Sequence, residues 1–328
     1  VVDRASGAQV VSVLSGANGS LQVNTIGVRG PQTIATRAVV LATGCRERTQ
    51  GARLIAGARL PGVHTVAELR ADPSVAGRTA VVLGADRHGF EGVARVRRAG
   101  ARVKAVVTPW HRHQVSGWVF WLARLRNALL LKTGGYVTAV RGADRLTGVQ
   151  VTFRDGRTEE VSCDTLILSG DFVPEYEVAL RSGLLVDAVT KGPAVDATGR
   201  TSRVGIFAAG SLVHPGWQGG SLNVAVTAAG VRRYLESGDW PRAVEIVVQP
   251  PLEWVAPAFI ASSAPDTRFV LNTKVFREAA TVVARQAGRE LGRTEVGAVQ
   301  PDAPFSISGD WTAELDPRGG PVSLELTW

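Results

Sequence analysis

In the stretch VVLATGCRERTQ, residues 39–50, an apolar run stops at three small residues, Ala42, Thr43 and Gly44, and Arg46 and Arg48 follow around Glu47. Small side chains let a ligand lie against the backbone, and a guanidinium just beyond suits a phosphate or an acidic substrate. The plainer alternative for both arginines is a salt bridge to Glu47, Glu68 or another surface carboxylate. A second stretch, GADRHG, keeps Gly84 and Gly89 of a GxGxxG turn but carries Asp86 where the second glycine would let a diphosphate approach. Asp86 adds bulk and negative charge there, which Arg87 offsets only in part. In a third stretch, residues 201–230, an apolar strand over 204–208 ends at Gly210 and Ser211. A helix of small residues is predicted from about Ser221, and its first amides suit an anion. Ahead of that helix stand His214 and Trp217, which on the plain reading pack together within a loop.

Other chemistries lack their residues. The two cysteines, Cys45 and Cys163, lie far apart in sequence and form no CxxC pair, which argues against a dithiol relay, a disulfide scaffold and a zinc knuckle. Cys45 reads as a small packing residue, and the low cysteine count fits a reducing cytoplasm. His111 and His113 flank Arg112 with no cysteine or carboxylate nearby to complete a metal site, so an exposed loop is expected there. His64 and His88 read as structural.

The elements that position these residues come in a repeated order. Residues 9–44 and 136–170 each read as alternating strands joined by polar turns, then an unbroken apolar run, 38–41 in one copy and 166–168 in the other. Asp155-Gly156 supplies a tight hairpin turn in the second copy. The unbroken runs read as parallel strands covered on both faces. Ahead of the second copy, residues 78–109 give a strand at 80–83, a helix with Phe90, Val93 and Val96 on one stripe, and a strand at 103–107. That is a βαβ unit, because parallel strands need a crossover between them. The first copy has no such front half, so the chain reads as N-terminally truncated. After Trp240-Pro241, valine-rich runs alternate with Pro, Gly and Asp turns at the spacing of a small β-domain, suited to subunit docking or to covering one face of its neighbour. Trp118, Trp121, Leu122, Leu125 and Leu129 fall on one helical stripe and read as core before membrane surface.

Composition bounds the classes. The chain has 328 residues, 45% hydrophobic and 20% charged, enough for two or three domains with real cores. No apolar run is long enough to span a membrane. The net charge of +8 is carried almost wholly by scattered arginines, which favours small anionic ligands over nucleic acid.

LATGCRER, the GADRHG turn, LILSGDFVPE and RVGIFAAGSLVH occur in the order seen in the pyridine nucleotide–disulfide oxidoreductase superfamily, which the chain resembles over residues 5–235. Within it the chain is most similar to flavoprotein subunits of dye-linked proline or opine dehydrogenases, of hydrogen cyanide synthase, and of glycerol-3-phosphate oxidase-like proteins. The resemblance implies an α/β fold with two Rossmann-like domains, the first incomplete and discontinuous, and a small C-terminal β-rich domain. It implies this order: 1–75, remainder of an FAD-binding domain and linker; 76–170, an NAD(P)-binding-like domain; 171–238, the second part of the FAD-binding domain; 239–328, the β-rich domain. It puts Ala42, Thr43, Gly44, Gly210 and Ser211 near FAD, Gly84 and Gly89 at a nicotinamide nucleotide turn weakened by Asp86, and His214 near the flavin ring. Relatives often carry an acidic residue at the position of Ser211, and a serine holds ribose or ribitol hydroxyls less strongly.

The expected function is an FAD-dependent oxidoreductase, a dehydrogenase or oxidase subunit taking hydride from a small amino or hydroxy acid and passing electrons to a partner subunit, quinone or dye. The alternatives are an NAD(P)H-dependent flavoprotein reductase and a degenerate scaffold subunit without catalysis. A cytoplasmic protein, at most peripheral to the membrane, is expected.

Overall fold

The computed structural model describes residues 6–115, 120, 130–216, 220–261 and 267–328. Residues 118, 121, 122, 125 and 129 of the apolar stripe, and Trp217, lie outside the described residues. The chain divides into two compact units, one of residues 1–45 and 173–328, the other of residues 46–172.

The internal repeat is visible in the backbone. In the first copy, strands β1 (Ala8–Ser15), β2 (Leu21–Gly27) and β3 (Gly30–Thr36) form an antiparallel meander, and β4 (Val39–Leu41) follows. In the second unit, β5 (Val63–Thr65), helix α1 (Val66–Ala71), β6 (Thr79–Leu83), helix α2 (Arg87–Arg98), β7 (Arg102–Thr108) and β8 (Leu131–Thr133) precede the second copy. That copy is a meander of β9 (Gly135–Arg141), β10 (Gly148–Phe153) and β11 (Thr158–Ser162), then β12 (Thr165–Leu168). Each meander slips register at the same place in its first strand, between Val10 and Ser12 in one and between Val137 and Ala139 in the other. A β-bulge kept at one position in both copies is a shared structural feature rather than a local accident.

Strands β5, β12, β6, β7 and β8 lie side by side in that order as one parallel sheet. β12 sits inside it, and all four of its side chains are buried, as its unbroken apolar run requires. Phe90, Val93 and Val96 of α2 face this sheet in one core with Val82, Val106 and Ile167. The other sheet face packs Val81, Val107, Leu166 and Leu168 against Val137, Val149 and Val151 of the second meander. The turn Asp155-Gly156 places Gly156 at φ +84, in the left-handed region glycine tolerates.

In the first unit, helix α3 (Glu177–Arg181) is followed by β13 (Ile206–Ala208), which pairs in parallel with β4, and by helix α4 (Gly220–Ser237). Two expectations need correction here. The strand predicted over 204–208 begins at Ile206, because Gly205 at φ +79 turns the chain and leaves Val204 exposed. The first unbroken run is covered less completely than its counterpart: β4 has one strand neighbour among the described residues, and Val40 is 46% exposed.

The C-terminal segment is a two-sheet β-domain. It contains β14 (Val244–Val248), β15 (Leu252–Ala256), β16 (Phe259–Ile260), β17 (Arg268–Thr273), β18 (Ala280–Gln286), β19 (Arg289–Val296), β20 (Phe305–Ser308) and β21 (Val322–Thr327). One sheet runs β16-β14-β21-β18-β19 and the other β15-β17-β20, with Phe269, Leu271, Ile307, Trp311 and Leu324 between them. This domain is not a loose appendage. Trp254 and Val270 enter a core shared with Val13, Leu21, Leu41, Ile206 and Leu212, and the Ala258 and Phe259 amides donate to the Val195 carbonyl. The architecture is thus two-domain α/β with Rossmann-like parallel strands and a C-terminal β-rich domain.

Candidate functional site

Two stretches singled out for their small residues meet at the ends of β4 and β13. Pairing of Val39–Leu41 with Ile206–Ala208, continued by the Ala209 amide donating to the Leu41 carbonyl at 3.0 Å, brings the following residues level. A Cβ placed on Gly44 would lie 3.7 Å from Ser211 Oγ. Gly44 and Gly210 both hold positive φ, +81 and +75, and nothing stands within 4 Å of a Cβ placed on Gly210. Ala42 and Thr43 are exposed; the Thr43 hydroxyl donates to the Glu175 carbonyl at 2.7 Å, and the Glu175 amide donates to the Gly44 carbonyl. The result is a bare run of backbone beside a serine hydroxyl, which fits the close approach of a flavin dinucleotide.

Behind it the chain is closely packed. Helix α4 lies so near residues 196–200 that a Cβ on Gly230 would meet the Thr198 carbonyl oxygen at 2.6 Å and one on Gly199 the Thr227 hydroxyl at 2.3 Å. That turn is fixed by Asp196, whose Oδ1 accepts from the Thr198 and Arg200 amides at 2.8 and 3.0 Å and whose Oδ2 accepts from Arg200 Nε at 2.6 Å. The buried Asp196–Arg200 pair was not singled out from sequence; the acid-to-arginine spacing of four residues in DATGR is the only signal it leaves. His214 is buried, and desolvation pushes its pKa down, so the ring is neutral at ordinary pH.

In the second unit, the glycine turn joins β6 to α2. Gly84 has φ +118, and a Cβ there would sit 3.1 Å from Ser169 Cβ. A Cβ on Gly89 would stand 2.0 Å from the Gly84 carbonyl oxygen, so only glycine permits this approach of helix to strand. These two positions fit a nucleotide-binding turn. The position between them opposes it: Asp86 caps α2, and its Oδ1 accepts from the Gly89 amide at 2.7 Å and from Ser169 Oγ at 3.2 Å.

Of the two arginines, Arg48 follows the plainer alternative, with Nε 3.4 Å from Asp171 in a half-exposed pair. Arg46 is exposed. Glu47 between them is a residue the sequence does not mark as special. It is 5% exposed, and Oε2 accepts from the Ala67 amide in the first turn of α1 at 2.9 Å. Burial pushes its pKa up. Arg53, half-buried close by, donates to the carbonyls of Arg48, Ser169 and Gly170 at 2.8, 3.0 and 2.7 Å. Among the histidines, His113 stacks on Phe120 at 4.0 Å with Nδ1 3.0 Å from the Val115 carbonyl oxygen, His88 packs edge-on against Phe172, and His64 lies 4.0 Å from Glu68. Among the described residues no group of three or more His, Cys, Asp or Glu could hold a metal ion.

A family model described as pyridine nucleotide-disulphide oxidoreductase matches residues 2–230, and the chain belongs to that family. It is 32% identical over 199 residues to the ferredoxin–NAD(+) reductase component of the anthranilate 1,2-dioxygenase system of Burkholderia cepacia, which covers 55% of this chain. The match takes in 44% of that curated relative, so the chain spans less than half of its length. Among solved structures it is similar to T. acidophilum thioredoxin reductase (TM-score 0.56, 18% identity, 70% of this chain and 72% of that one). It is also similar to an NAD-dependent persulfide reductase from A. fulgidus (0.55, 15%, 85% and 53%) and to the reductase of a covalent putidaredoxin reductase–putidaredoxin complex (0.55, 19%, 91% and 70%).

Proposed function

We propose that the chain forms part of an NAD(P)H-dependent flavoprotein reductase that passes electrons through FAD to a redox partner. The observation that carries this reading is the turn at the head of α2, where Gly84 and Gly89 keep the close strand-to-helix packing of a nucleotide-binding loop. The likeness to a ferredoxin–NAD(+) reductase component supports it. FAD would lie against Ala42, Thr43, Gly44, Gly210 and Ser211 and would supply hydride and electron transfer. The chain's own contribution is positional: bare backbone at Gly44 and Gly210, a hydroxyl at Ser211 and a neutral His214. The two cysteines of this chain, Cys45 and Cys163, form no CxxC pair, so these residues supply no dithiol relay.

A second reading, oxidation of a small amino or hydroxy acid with electrons passed to a partner subunit, quinone or dye, is favoured by one observation, the carboxylate of Asp86 at the nucleotide turn. Anaerobic mixing of the full-length FAD-loaded protein with NADH, NADPH, L-proline or glycerol 3-phosphate separates the two. Bleaching of the flavin by a reduced nucleotide, slow because of Asp86, is the expected result. Bleaching by an amino or hydroxy acid alone would replace the reductase reading with the second one.

A further inference from the structure

The helix that should greet a dinucleotide carries an anion of its own. Asp86 is 7% exposed, and its carboxylate is wedged between the first turn of α2 and the end of β12. Oδ1 takes the Gly89 amide and the Ser169 hydroxyl, and a Cβ on Gly170 would meet Oδ2 at 3.0 Å. In doubly wound domains this helix end, beside the carboxyl ends of the parallel strands, is where a diphosphate settles. A second buried carboxylate, Glu47, is near enough that the negative charges of the two oppose each other. The half-buried cation beside them, Arg53, offsets part of both charges, while its hydrogen bonds go to backbone carbonyls.

We infer that Asp86 is a resident anion that competes with the nucleotide diphosphate at α2 and sets pyridine-nucleotide affinity low in this chain. The inference rests on the reductase reading for its ligand and on geometry for its residue. A diphosphate approaching the turn meets a like charge in a poorly solvated place and must draw the carboxylate off the Gly89 amide, leaving Asp86 buried without that partner.

The test is calorimetric titration of the FAD-loaded full-length protein with ADP-ribose, which carries the diphosphate and no nicotinamide. Wild type, Asp86→Gly and Asp86→Asn are compared, with melting temperatures to confirm folding. Asparagine keeps the helix cap without the charge, so it serves if the glycine variant fails to fold. Removal of the carboxylate is expected to tighten ADP-ribose binding by at least about tenfold, with Asp86→Asn between the glycine variant and wild type. Affinity unchanged in both folded variants, or no binding by any of the three proteins at millimolar ADP-ribose, overturns the inference. NADH bleaching is read separately. Tightened ADP-ribose binding with a flavin that NADH leaves oxidised keeps the inference and removes the reductase reading, whereas unchanged binding with a flavin that NADH bleaches does the reverse.

Discussion

Individual side chains already divide into reactive and inert. Burial pushes the Cys163 thiol up to about 11, so it is a thiol and not a thiolate at neutral pH, whereas Cys45 is only partly buried. A thiol reagent is therefore expected to titrate one cysteine in the native protein and a second only after denaturation; two fast thiols would show that Cys163 is reachable. Glu47 sets a pH dependence. Its pKa is raised in the fold, so its contribution to stability is fully present below the ordinary carboxylate pKa and is lost as pH rises through the raised value. Glu47→Gln removes that loss. Melting temperatures measured from about pH 4 to pH 8 should fall less in the variant than in wild type, and parallel curves would show that Glu47 ionises without penalty. His214 acts in the opposite direction, since a lowered imidazole pKa favours the fold above the ordinary value and costs stability as the medium turns acid.

The packed turns carry the next level of constraint. Gly89 is required by the contact of α2 with the Gly84 carbonyl, where a methyl would stand 2.0 Å from an oxygen of the backbone. Gly89→Ala should destabilise the protein by about 3 kcal/mol, checked by denaturant unfolding. Gly30→Ala tests a different cause, because nothing lies within 4 Å of its Cβ and only its φ of +78 is strained. A loss of about 1 kcal/mol is expected there, and equal losses at the two positions would mean that steric contact at Gly89 has been relieved by a helix shift. The two meanders explain why the elements were readable beforehand: alternation with one solvated face marks both, and the unbroken run after each marks a strand that leaves the meander for a parallel neighbour. Val204 is as apolar as the strand that follows, which extends the expected β13 by two residues; the turn at Gly205 outweighs its β-propensity and leaves it in solvent.

In the first unit, the C-terminal domain and strands β4 and β13 share one core. Trp254 of β15 is buried with Leu41 and Ile206, the residues that carry the Gly44 and Gly210 strand ends. Trp254→Ala should therefore cost about 3–5 kcal/mol and also loosen FAD, seen as flavin lost on gel filtration, while Phe269→Ala, in the core between the two C-terminal sheets, lowers stability by a similar amount with less effect on flavin retention. Equal flavin loss from both would mean that the domain acts only through global stability. The repeat, the βαβ unit, the β-rich tail and the small-residue strand ends are legible in the order of residues alone, because periodicity and glycine placement are local properties of the chain. The approach of Gly44 to Ser211, the burial of Glu47, the pairing of Arg48 with Asp171 and the turn of the Asp86 carboxylate in upon α2 arise from long-range packing. Those outcomes depend on which residues, distant in sequence, the folded sheets bring together, and on how much water they leave around each charge.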